Sequence, residues 1–274
     1  MKKVALVTGA SSGIGFIVAR RLIESGYVVY AVARRLELMD ELKSQGCNIL
    51  YLDLMDEKSI EECVLNILKK ENKIDILINN AGFGLGGCIE NISTEEAKKQ
   101  FDVNVFGLIK LIQLVLPGMK NQKDGLIINV SSMAGKFSTP FSGWYHATKY
   151  SVEALSDALR LEVSNFGIKV VLVEPGLIQT SWGIIHANNI RKYSDDFYAE
   201  NAEKVAEYFE KRYSRGKKLS KPEIIANLII KIINKKNPKP RYSKGKMSFV
   251  YLISKKIFPD RFFDFLLKFS FGIK

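Results

Sequence analysis

The amino-acid sequence predicts a single α/β domain: a doubly wound parallel sheet with helices on both faces and a C-terminal helical extension. Over the first 180 residues, short β-branched runs alternate with longer amphipathic runs, which is the pattern of βαβ units. The runs predicted as strands are almost entirely apolar, as expected where helices cover both faces of a parallel sheet. The length of 274 residues fits one large domain better than two.

Six strands are predicted in this part of the chain, each a short apolar run between polar or glycine-containing segments. Because the carboxyl ends of parallel strands meet at one edge of a sheet, the residues that follow these strands are candidates for a ligand site. The predicted strands are Val4–Thr8, Val28–Ala33, Asn48–Asp53, Ile74–Asn79, Leu126–Val130 and Val170–Glu174.

Amphipathic runs separate the strands and predict the helices that cover the sheet. Several of them stop immediately before a glycine, which is a frequent residue at a helix C-terminus. The longest run contains a break near Asn104–Gly107. The predicted helices are Ile14–Ser25, Glu37–Gln45, Glu57–Lys70, Thr94–Met119, Tyr145–Phe166 and Lys221–Lys235.

The composition excludes several kinds of site. The cysteines Cys47, Cys63 and Cys88 show no CxxC spacing, so we predict ordinary reduced thiols and no metal site. Only two histidines are present, His146 and His186, which excludes a mechanism that needs several imidazoles. The apolar N-terminal stretch is too short for a signal peptide, and no run approaches the roughly 18 apolar residues of a membrane span. We therefore expect a cytoplasmic protein.

A glycine-rich turn connects the first predicted strand to the first predicted helix. Glycines let the backbone turn tightly and approach a pyrophosphate closely, and the helix N-terminus presents free N–H groups to that anion. A tight turn without a ligand is the alternative interpretation. The position in the first βαβ unit favours dinucleotide binding and a Rossmann-type fold, with the cofactor held by Gly9, Ser11, Ser12, Gly13, Ile14 and Gly15.

The end of the second strand indicates which dinucleotide is bound. NAD-specific sites place Asp or Glu there to accept a hydrogen bond from the ribose 2′-hydroxyl. Here the strand ends at Ala33, and Arg34 and Arg35 follow. Guanidinium groups suit a phosphate in geometry and charge, so we predict NADP(H), with a solvated surface pair as the alternative. Asp53 and Leu54 are predicted at the adenine end, where Asp53 either accepts from the adenine amino group or caps the turn.

Four polar residues form the predicted catalytic group. Tyr145 and Lys149 are four residues apart and share one face of a predicted helix, where the ammonium lowers the pKa of the phenol from about 10. Ser132 follows a strand thirteen residues upstream of the tyrosine, and its hydroxyl is placed to polarise a carbonyl. Asn104 interrupts a helical run and is placed to anchor a water. A small polar turn after the fourth strand lets the cofactor lie close to Asn80, Ala81 and Gly82.

Together these motifs resemble the short-chain dehydrogenase/reductase family in order and spacing over residues 3–180. Phe83-Gly84, Asn104–Gly107 and Glu174-Pro175-Gly176 are most similar to its hydroxysteroid- and retinol-dehydrogenase-like branch. The resemblance implies that Tyr145 is the general acid/base and that Lys149 binds the cofactor ribose. It further implies that Ser132 orients the substrate oxygen and that Asn104 supports a water leading to Lys149. The nicotinamide end would then lie against Pro175, Gly176, Ile178 and Thr180.

The resemblance implies an NADP(H)-dependent oxidoreductase that acts on CH–OH and interconverts a carbonyl and a secondary alcohol. The alternative is a nucleotide-binding scaffold or sensor of the same fold without turnover. Aromatic and apolar segments predict a pocket for a lipophilic substrate such as a steroid, retinoid or fatty carbonyl. A homo-oligomer, dimer or tetramer, is also implied, formed through the helices Thr94–Met119 and Tyr145–Phe166. The pocket segments are Phe83–Cys88, Met133–Trp144 and Ser181–Tyr213.

Residues 1–240 are thus predicted as a dinucleotide-binding catalytic domain, with a substrate-loop segment at 181–216, and residues 241–274 as a basic, aromatic extension. The net charge of +12 lies in residues 191–274, which hold 21 Lys and Arg against 9 Asp and Glu. No nucleic-acid-binding motif accompanies this charge, so nucleic acid is not a predicted partner. The amphipathic run Ser248–Phe271 leaves two alternatives open: peripheral contact with an anionic membrane, or packing against this domain or a neighbouring subunit.

Overall fold

One parallel sheet of seven strands organises this computed structural model, which describes residues 2–214 and 219–273. In chain order the strands are Val4–Thr8 (β1), Val28–Ala33 (β2), Asn48–Tyr51 (β3), Ile76–Asn79 (β4), Gly125–Val130 (β5), Ile168–Pro175 (β6) and Arg241–Lys244 (β7). Their spatial order is β3-β2-β1-β4-β5-β6-β7, and every neighbouring pair is parallel. The doubly wound sheet is confirmed, and its order reverses between β1 and β4, where such sheets bind ligands.

Helices cover both faces of the sheet. In chain order they are Gly13–Glu24 (α1), Asp40–Ser44 (α2), Glu57–Glu71 (α3), Thr94–Phe101 (α4), Gly107–Gln122 (α5), Gly143–Glu162 (α6), Trp182–Lys192 (α7), Ala199–Ser214 (α8), Glu223–Ile233 (α9), Ser248–Ile257 (α10) and Asp260–Phe271 (α11). Helices α1, α2 and α9 bury apolar side chains against one face, and α3, α5 and α6 against the other. These two layers hold the carboxyl ends of the strands in place around the site.

The long helix predicted over Thr94–Met119 is interrupted where the sequence places the break. Between α4 and α5, the segment Asp102–Phe106 forms a wider turn of π-helical geometry, and Asn104 is buried within it. Helix α5 then passes so close to the end of β3 that a Cβ on Gly107 would lie 2.4 Å from the backbone oxygen of Leu54. The wider turn and the close approach together fix Asn104 beneath the site.

Alanine substitutions at two glycines of α5 test this close approach. Gly107→Ala is expected to lower the free energy of unfolding by about 1–3 kcal/mol, because the new methyl group overlaps the Leu54 backbone. Gly118→Ala is the matched control, since only Gln122 Nε2 lies near its Cβ position, at 3.9 Å. That change is expected to stabilise the protein by roughly 0.5–1 kcal/mol. Denaturant unfolding measures both, and effects of the same sign would contradict the contact.

The run that contains α4 and α5 also bears on membrane spanning. In the part of the chain that the structure describes, Thr94–Gln122 is one helical run that is long and apolar enough to cross a membrane by length and composition alone. No such run was expected from the sequence. Leu111, Ile112 and Met119 of this helix are buried against the sheet and α3, which is the environment of a core helix.

The seventh strand is an element that the sequence analysis does not predict. β7 pairs with β6, with Leu172 opposite Arg241 and Pro175 opposite Lys244. Its four residues, Arg-Tyr-Ser-Lys, show no hydrophobic pattern. An edge strand pairs with one neighbour only, so it can be polar and still belong to the sheet. The sheet therefore continues past residue 240, where the C-terminal extension was predicted to begin.

Several other boundaries differ from the prediction by a few residues. β3 ends two residues early, because the Asp53 N–H donates to Ser59 Oγ (3.0 Å) instead of to a strand. β4 begins two residues later than predicted and β6 two residues earlier. The segment 181–216, whose periodicity is weak, forms α7 and α8; its last two residues lie outside the described residues, as do Met1, residues 217–218 and Lys274.

The two C-terminal helices pack against the same domain. Helices α7, α8, α10 and α11 share a third apolar cluster with residues that follow β5 and β6. Tyr251 of α10 stacks on Phe137 with ring centres 5.0 Å apart, and Phe271 of α11 lies 4.5 Å from the ring of Tyr208. The inner side of the run Ser248–Phe271 thus packs on its own domain.

Candidate active site

The turn after β1 and the turn after β4 are pressed together. A Cβ on Gly9, whose φ is +66°, would lie 2.8 Å from the Cα of Ala81, and one on Gly15 would lie 2.5 Å from the Gly9 oxygen. The Oγ1 of Thr8 accepts hydrogen bonds from the N–H groups of Asn80 and Ala81, both at 3.0 Å. Only glycine fits at these two positions, and the result is a backbone cradle at the N-terminus of α1.

The residues predicted at the adenosine end lie outside this cradle. Arg34 and Arg35 are exposed after β2, and Arg35 Nη2 donates to Ser11 Oγ at 3.4 Å. Ser12 precedes α1 as its N-cap residue, in extended conformation. An arginine therefore lies next to the cradle, two residues after Ala33, which ends β2 without the acid of NAD-specific sites.

Asp53 and Leu54 follow β3 in a tight turn. Asp53 Oδ1 accepts from the Met55 N–H at 3.0 Å, so the turn-capping role that the sequence left open is observed for this oxygen. Leu54 is buried, and its backbone faces α5. Neither residue lies on the wall of the cleft that holds the catalytic group.

Tyr145 and Lys149 lie one turn apart on α6, beside Ser132 at the end of β5. Lys149 Nζ donates to the Val130 carbonyl at 3.0 Å and lies 5.9 Å from the centre of the Tyr145 ring. The Ser132 hydroxyl is hydrogen-bonded to the phenol of Tyr145 and accepts from the Ala134 N–H at 3.1 Å. The structure thus brings the predicted serine, tyrosine and lysine together.

Burial controls the titration of this group. It raises the pKa of Tyr145 to about 12, against the opposing effect of the hydrogen bond from Ser132. It lowers the pKa of Lys149 to about 8, against the opposing charge of Glu153. A lowered pKa for Tyr145 was expected from the sequence; that direction is wrong for this structure, because desolvation of the phenolate outweighs the hydrogen bond from Ser132.

Asn104 lies behind the turn that follows β4. Its Nδ2 donates to the Phe83 carbonyl (2.8 Å) and to Thr148 Oγ1 (3.1 Å), and its Oδ1 accepts from the Phe83 N–H at 3.0 Å. A Cβ on Gly82 would lie 3.0 Å from Asn104 Oδ1 and 3.9 Å from Lys149 Nζ. Asn104 therefore fixes the turn that separates it from Lys149. Thr148, its partner on α6, is a site residue that the sequence analysis did not single out.

One cleft, with a cavity volume of about 190 Å³, joins these groups. All three predicted pocket segments contribute residues to its wall, for example Phe83, Met133 and Trp182. Thr180 Cγ2 lies 3.4 Å from the Cβ position of Gly13, next to the cradle. The predicted cofactor and catalytic residues on the wall are Ile14, Asn80, Gly82, Ser132, Tyr145, Lys149, Pro175, Gly176, Ile178 and Thr180.

Comparison with known proteins gives the family of this arrangement. The model of the short chain dehydrogenase family matches residues 3–186, which hold the cradle, the catalytic group and the turn after β6. The chain belongs to the short-chain dehydrogenase/reductase family. The matched range ends in α7, so α8 to α11 lie beyond the part that the family model describes.

Curated relatives of this short-chain dehydrogenase match it over almost their whole length. The probable short-chain type dehydrogenase/reductase VdlC of Helicobacter pylori is 38% identical over 266 residues, which cover 97% of this chain and 96% of the relative. The 3-ketodihydrosphingosine reductase of Bacteroides thetaiotaomicron is 34% identical over 276 residues, covering 99% of both. The NADPH-dependent 3-dehydrocapnine reductase of Ornithobacterium rhinotracheale is 32% identical over 273 residues, covering 96% and 95%.

Solved structures share this fold over most of the chain. A short-chain dehydrogenase from Streptomyces avermitilis superposes with a TM-score of 0.82 at 28% identity, covering 98% of this chain and 96% of its own. The closed form of a serine dehydrogenase complexed with NADP⁺ gives a TM-score of 0.76 at 29% identity, covering 89% and 95%.

Two lining residues of this short-chain dehydrogenase come from the C-terminal extension. Tyr251 and Phe271 reach the cleft from α10 and α11, and sequence reasoning did not place them there. A signal was available for α11, since Phe263, Leu267 and Phe271 recur every four residues and are all buried. This spacing indicates one buried face, but it does not identify the surface against which that face packs.

Proposed function

We propose that this short-chain dehydrogenase is an NADP(H)-dependent oxidoreductase that interconverts a lipophilic ketone and its secondary alcohol, as in the hydroxysteroid- and retinol-dehydrogenase-like branch. The observation that carries the proposal is the meeting of Ser132, Tyr145 and Lys149 in a cleft whose remaining wall is mostly apolar and includes eight aromatic rings. A proton donor next to an apolar wall is the arrangement that reduction of a lipophilic carbonyl needs.

The cofactor is NADP(H). Its diphosphate fits the cradle, because the tightly packed glycines Gly9 and Gly15 carry no side chain that would stand between an anion and the N-terminus of α1. Arg35 lies at the edge of that cradle, where its guanidinium suits the 2′-phosphate. The NADP⁺ complex of the serine dehydrogenase supports this assignment. When bound, NADPH supplies the hydride.

The protein supplies the proton and the orientation. Because the pKa of Tyr145 is about 12, its phenol is protonated near neutrality and is a proton donor for the carbonyl oxygen in reduction. Ser132 donates a hydrogen bond to the same oxygen, and the Lys149 ammonium stabilises the phenolate and binds the ribose. Asn104 supports a water on the path from Lys149 to solvent. Oxidation uses the same groups in reverse.

The pH profile of reduction tests the role of Lys149. Its pKa is lowered to about 8, so its ammonium is present below that pH and is lost above it. We expect kcat/KM for ketone reduction to fall as pH rises through about 8, because the neutral amine no longer stabilises the phenolate. Lys149→Arg keeps its charge and is expected to remove this fall. A flat profile across this range in the wild type would contradict the role.

The substrate is a lipophilic carbonyl such as a steroid, a retinoid or a fatty ketone. The relatives named 3-ketodihydrosphingosine reductase and 3-dehydrocapnine reductase support a keto substrate for this chain as well. Aromatic side chains that include Phe137, Trp182 and Phe209 form the wall that the apolar part would contact. Trp182 lies 5.2 Å from the ring of Tyr145, so this wall reaches the reacting position.

A homologous series of methyl ketones tests both the activity and the substrate class. Each buried CH₂ contributes about 0.8 kcal/mol, so kcat/KM is expected to rise roughly fourfold per carbon until the cleft is filled. NADPH oxidation measures it. Equal turnover of short and long ketones would overturn the lipophilic substrate. Tight NADPH binding without turnover of any ketone or aldehyde would favour the scaffold or sensor instead.

A cytoplasmic homo-oligomer, dimer or tetramer, is the proposed assembly. Phe106, Leu155 and Leu161 are exposed apolar side chains at the start of α5 and along α6, and a second copy would cover them. Light scattering coupled to gel filtration measures the assembly. Leu161→Glu is expected to shift the protein towards the monomer, and a monomeric wild type would contradict the assembly.

A further inference from the structure

An exposed row of phenylalanine rings runs along α11 and the turn before it. Phe258, Phe262, Phe265 and Phe269 follow one another with ring centres 4.7, 6.3 and 6.4 Å apart. Their exposed fractions are 39, 45, 59 and 78%. Because the opposite side of α11 is buried in the third apolar cluster, this helix is apolar on two sides.

The row continues on α10. Phe249, Val250, Ile253 and Ile257 are exposed there, and Ile257 is followed directly by the first ring of the row. Single exposed apolar residues are ordinary, but eight of them on two consecutive short helices and the turn between them form a patch of the kind that marks an interaction site. We call these eight side chains the α10–α11 face.

The charged side chains around the α10–α11 face are mainly basic. Lys256, Arg261 and Lys268 are exposed and make no ion pair within the described residues. Of the two acids on α11, Asp260 is already paired with Lys255 at 2.5 Å, and Asp264 is exposed, so bases outnumber acids on these helices by four to two. Since residues 191–274 also carry the whole net charge of +12, this face is complementary to an anionic surface. A second copy of the same face would bring like charges together.

We propose that the α10–α11 face docks on an anionic phospholipid bilayer. The phenyl rings would lie at the boundary of the acyl chains, with Lys256, Arg261 and Lys268 among the headgroups. Two short amphipathic helices with aromatic and basic residues are the elements that bind in the plane of such an interface. The row of phenylalanine rings accounts for insertion into the bilayer, and the basic side chains account for the preference for anionic lipid.

The same two helices form part of the wall of the catalytic cleft. Tyr251 and Phe271 lie on their inner sides and line the cleft, while the α10–α11 face lies on their outer sides. Docking therefore brings one wall of the cleft to the bilayer surface, where a lipid ketone reaches Tyr145 without crossing bulk water. This delivery step rests on the proposed function; docking itself does not.

Flotation of the full-length protein with vesicles tests docking. We expect the wild type to float with vesicles that contain phosphatidylglycerol, and not with phosphatidylcholine alone. The double variant Phe265→Ser, Phe269→Ser is expected to bind at least about tenfold more weakly. Phe197→Ser is the matched control, because Phe197 is 95% exposed and lies outside the face; it should float like the wild type.

Three results would overturn docking. They are failure of the wild type to float with anionic vesicles, equal flotation of the double variant, and a dimer in solution that the double variant dissociates. The last result would assign the face to subunit contact. Because the two replaced side chains are exposed, a thermal unfolding midpoint equal to that of the wild type establishes that the variant is folded.

Turnover measurements distinguish docking on the bilayer, delivery of a lipid ketone from it, and the proposed ketone reduction. The double variant should reduce a short, water-soluble ketone at the wild-type rate and a long-chain ketone in anionic vesicles about tenfold more slowly. Equal rates on the embedded ketone would overturn delivery. Flotation without turnover of any ketone would leave docking intact and overturn the proposed function. Turnover without flotation would leave the proposed function intact and overturn docking.

Discussion

Replacing Tyr145 with phenylalanine is expected to lower kcat for ketone reduction by about 10²–10⁴-fold, the usual contribution of a positioned acid. The change removes only the hydroxyl group that is hydrogen-bonded to Ser132. The ring keeps its contact with Trp182 at 5.2 Å and its position 5.9 Å from Lys149 Nζ. The cleft therefore keeps its shape and loses the proton donor.

NADPH binding distinguishes this loss of chemistry from a loss of fold. The dissociation constant is expected to stay within about threefold of the wild type, because the cradle at Gly9 and Gly15 does not involve the phenol. Tyr150→Phe is the matched control: Tyr150 is an exposed tyrosine on the same helix, and its replacement should leave turnover unchanged. A Tyr145→Phe enzyme with nearly wild-type turnover would contradict the proposed role.

The parts of the fold that the sequence predicts well are those that local pattern determines. β1 and β2 have the predicted boundaries because each is a buried run of apolar residues that ends at a polar or glycine-rich turn. The break in the long helix was also visible, because Asn104 is a polar residue within an otherwise helical run. The position of Tyr145 and Lys149 on one face of α6 follows from the helical repeat alone.

The parts that the sequence does not predict depend on tertiary packing. β7 is polar, and its pairing with β6 is supported by ion pairs from Arg241 to Asp157 and Glu174, which are distant in sequence. The pKa of Tyr145 depends on how completely the helices around it exclude water. The two faces of α11 have similar composition, and only the folded structure distinguishes the one that lines the cleft from the one that is exposed.

Removing the guanidinium groups of Arg34 and Arg35 is expected to raise KM for NADPH by about 10- to 150-fold, since a hydrogen bond to a charged group contributes about 1.5–3 kcal/mol. KM for NADH should change little, because NADH has no 2′-phosphate. The expected difference rests on the position of Arg35 beside Ser11 and on Ala33, which provides no carboxylate for a free 2′-hydroxyl.

Comparison of the two cofactors identifies what the arginines recognise. If the two arginines only attract anions to a basic protein, the variant Arg34→Ala, Arg35→Ala will raise KM for both NADPH and NADH. Arg261→Ala, which removes an exposed arginine from α11, will then have a similar effect. If they bind the 2′-phosphate, only the double variant will act, and only on NADPH. A parallel rise for both cofactors would contradict the phosphate contact, because a direct contact cannot affect a cofactor that lacks the group.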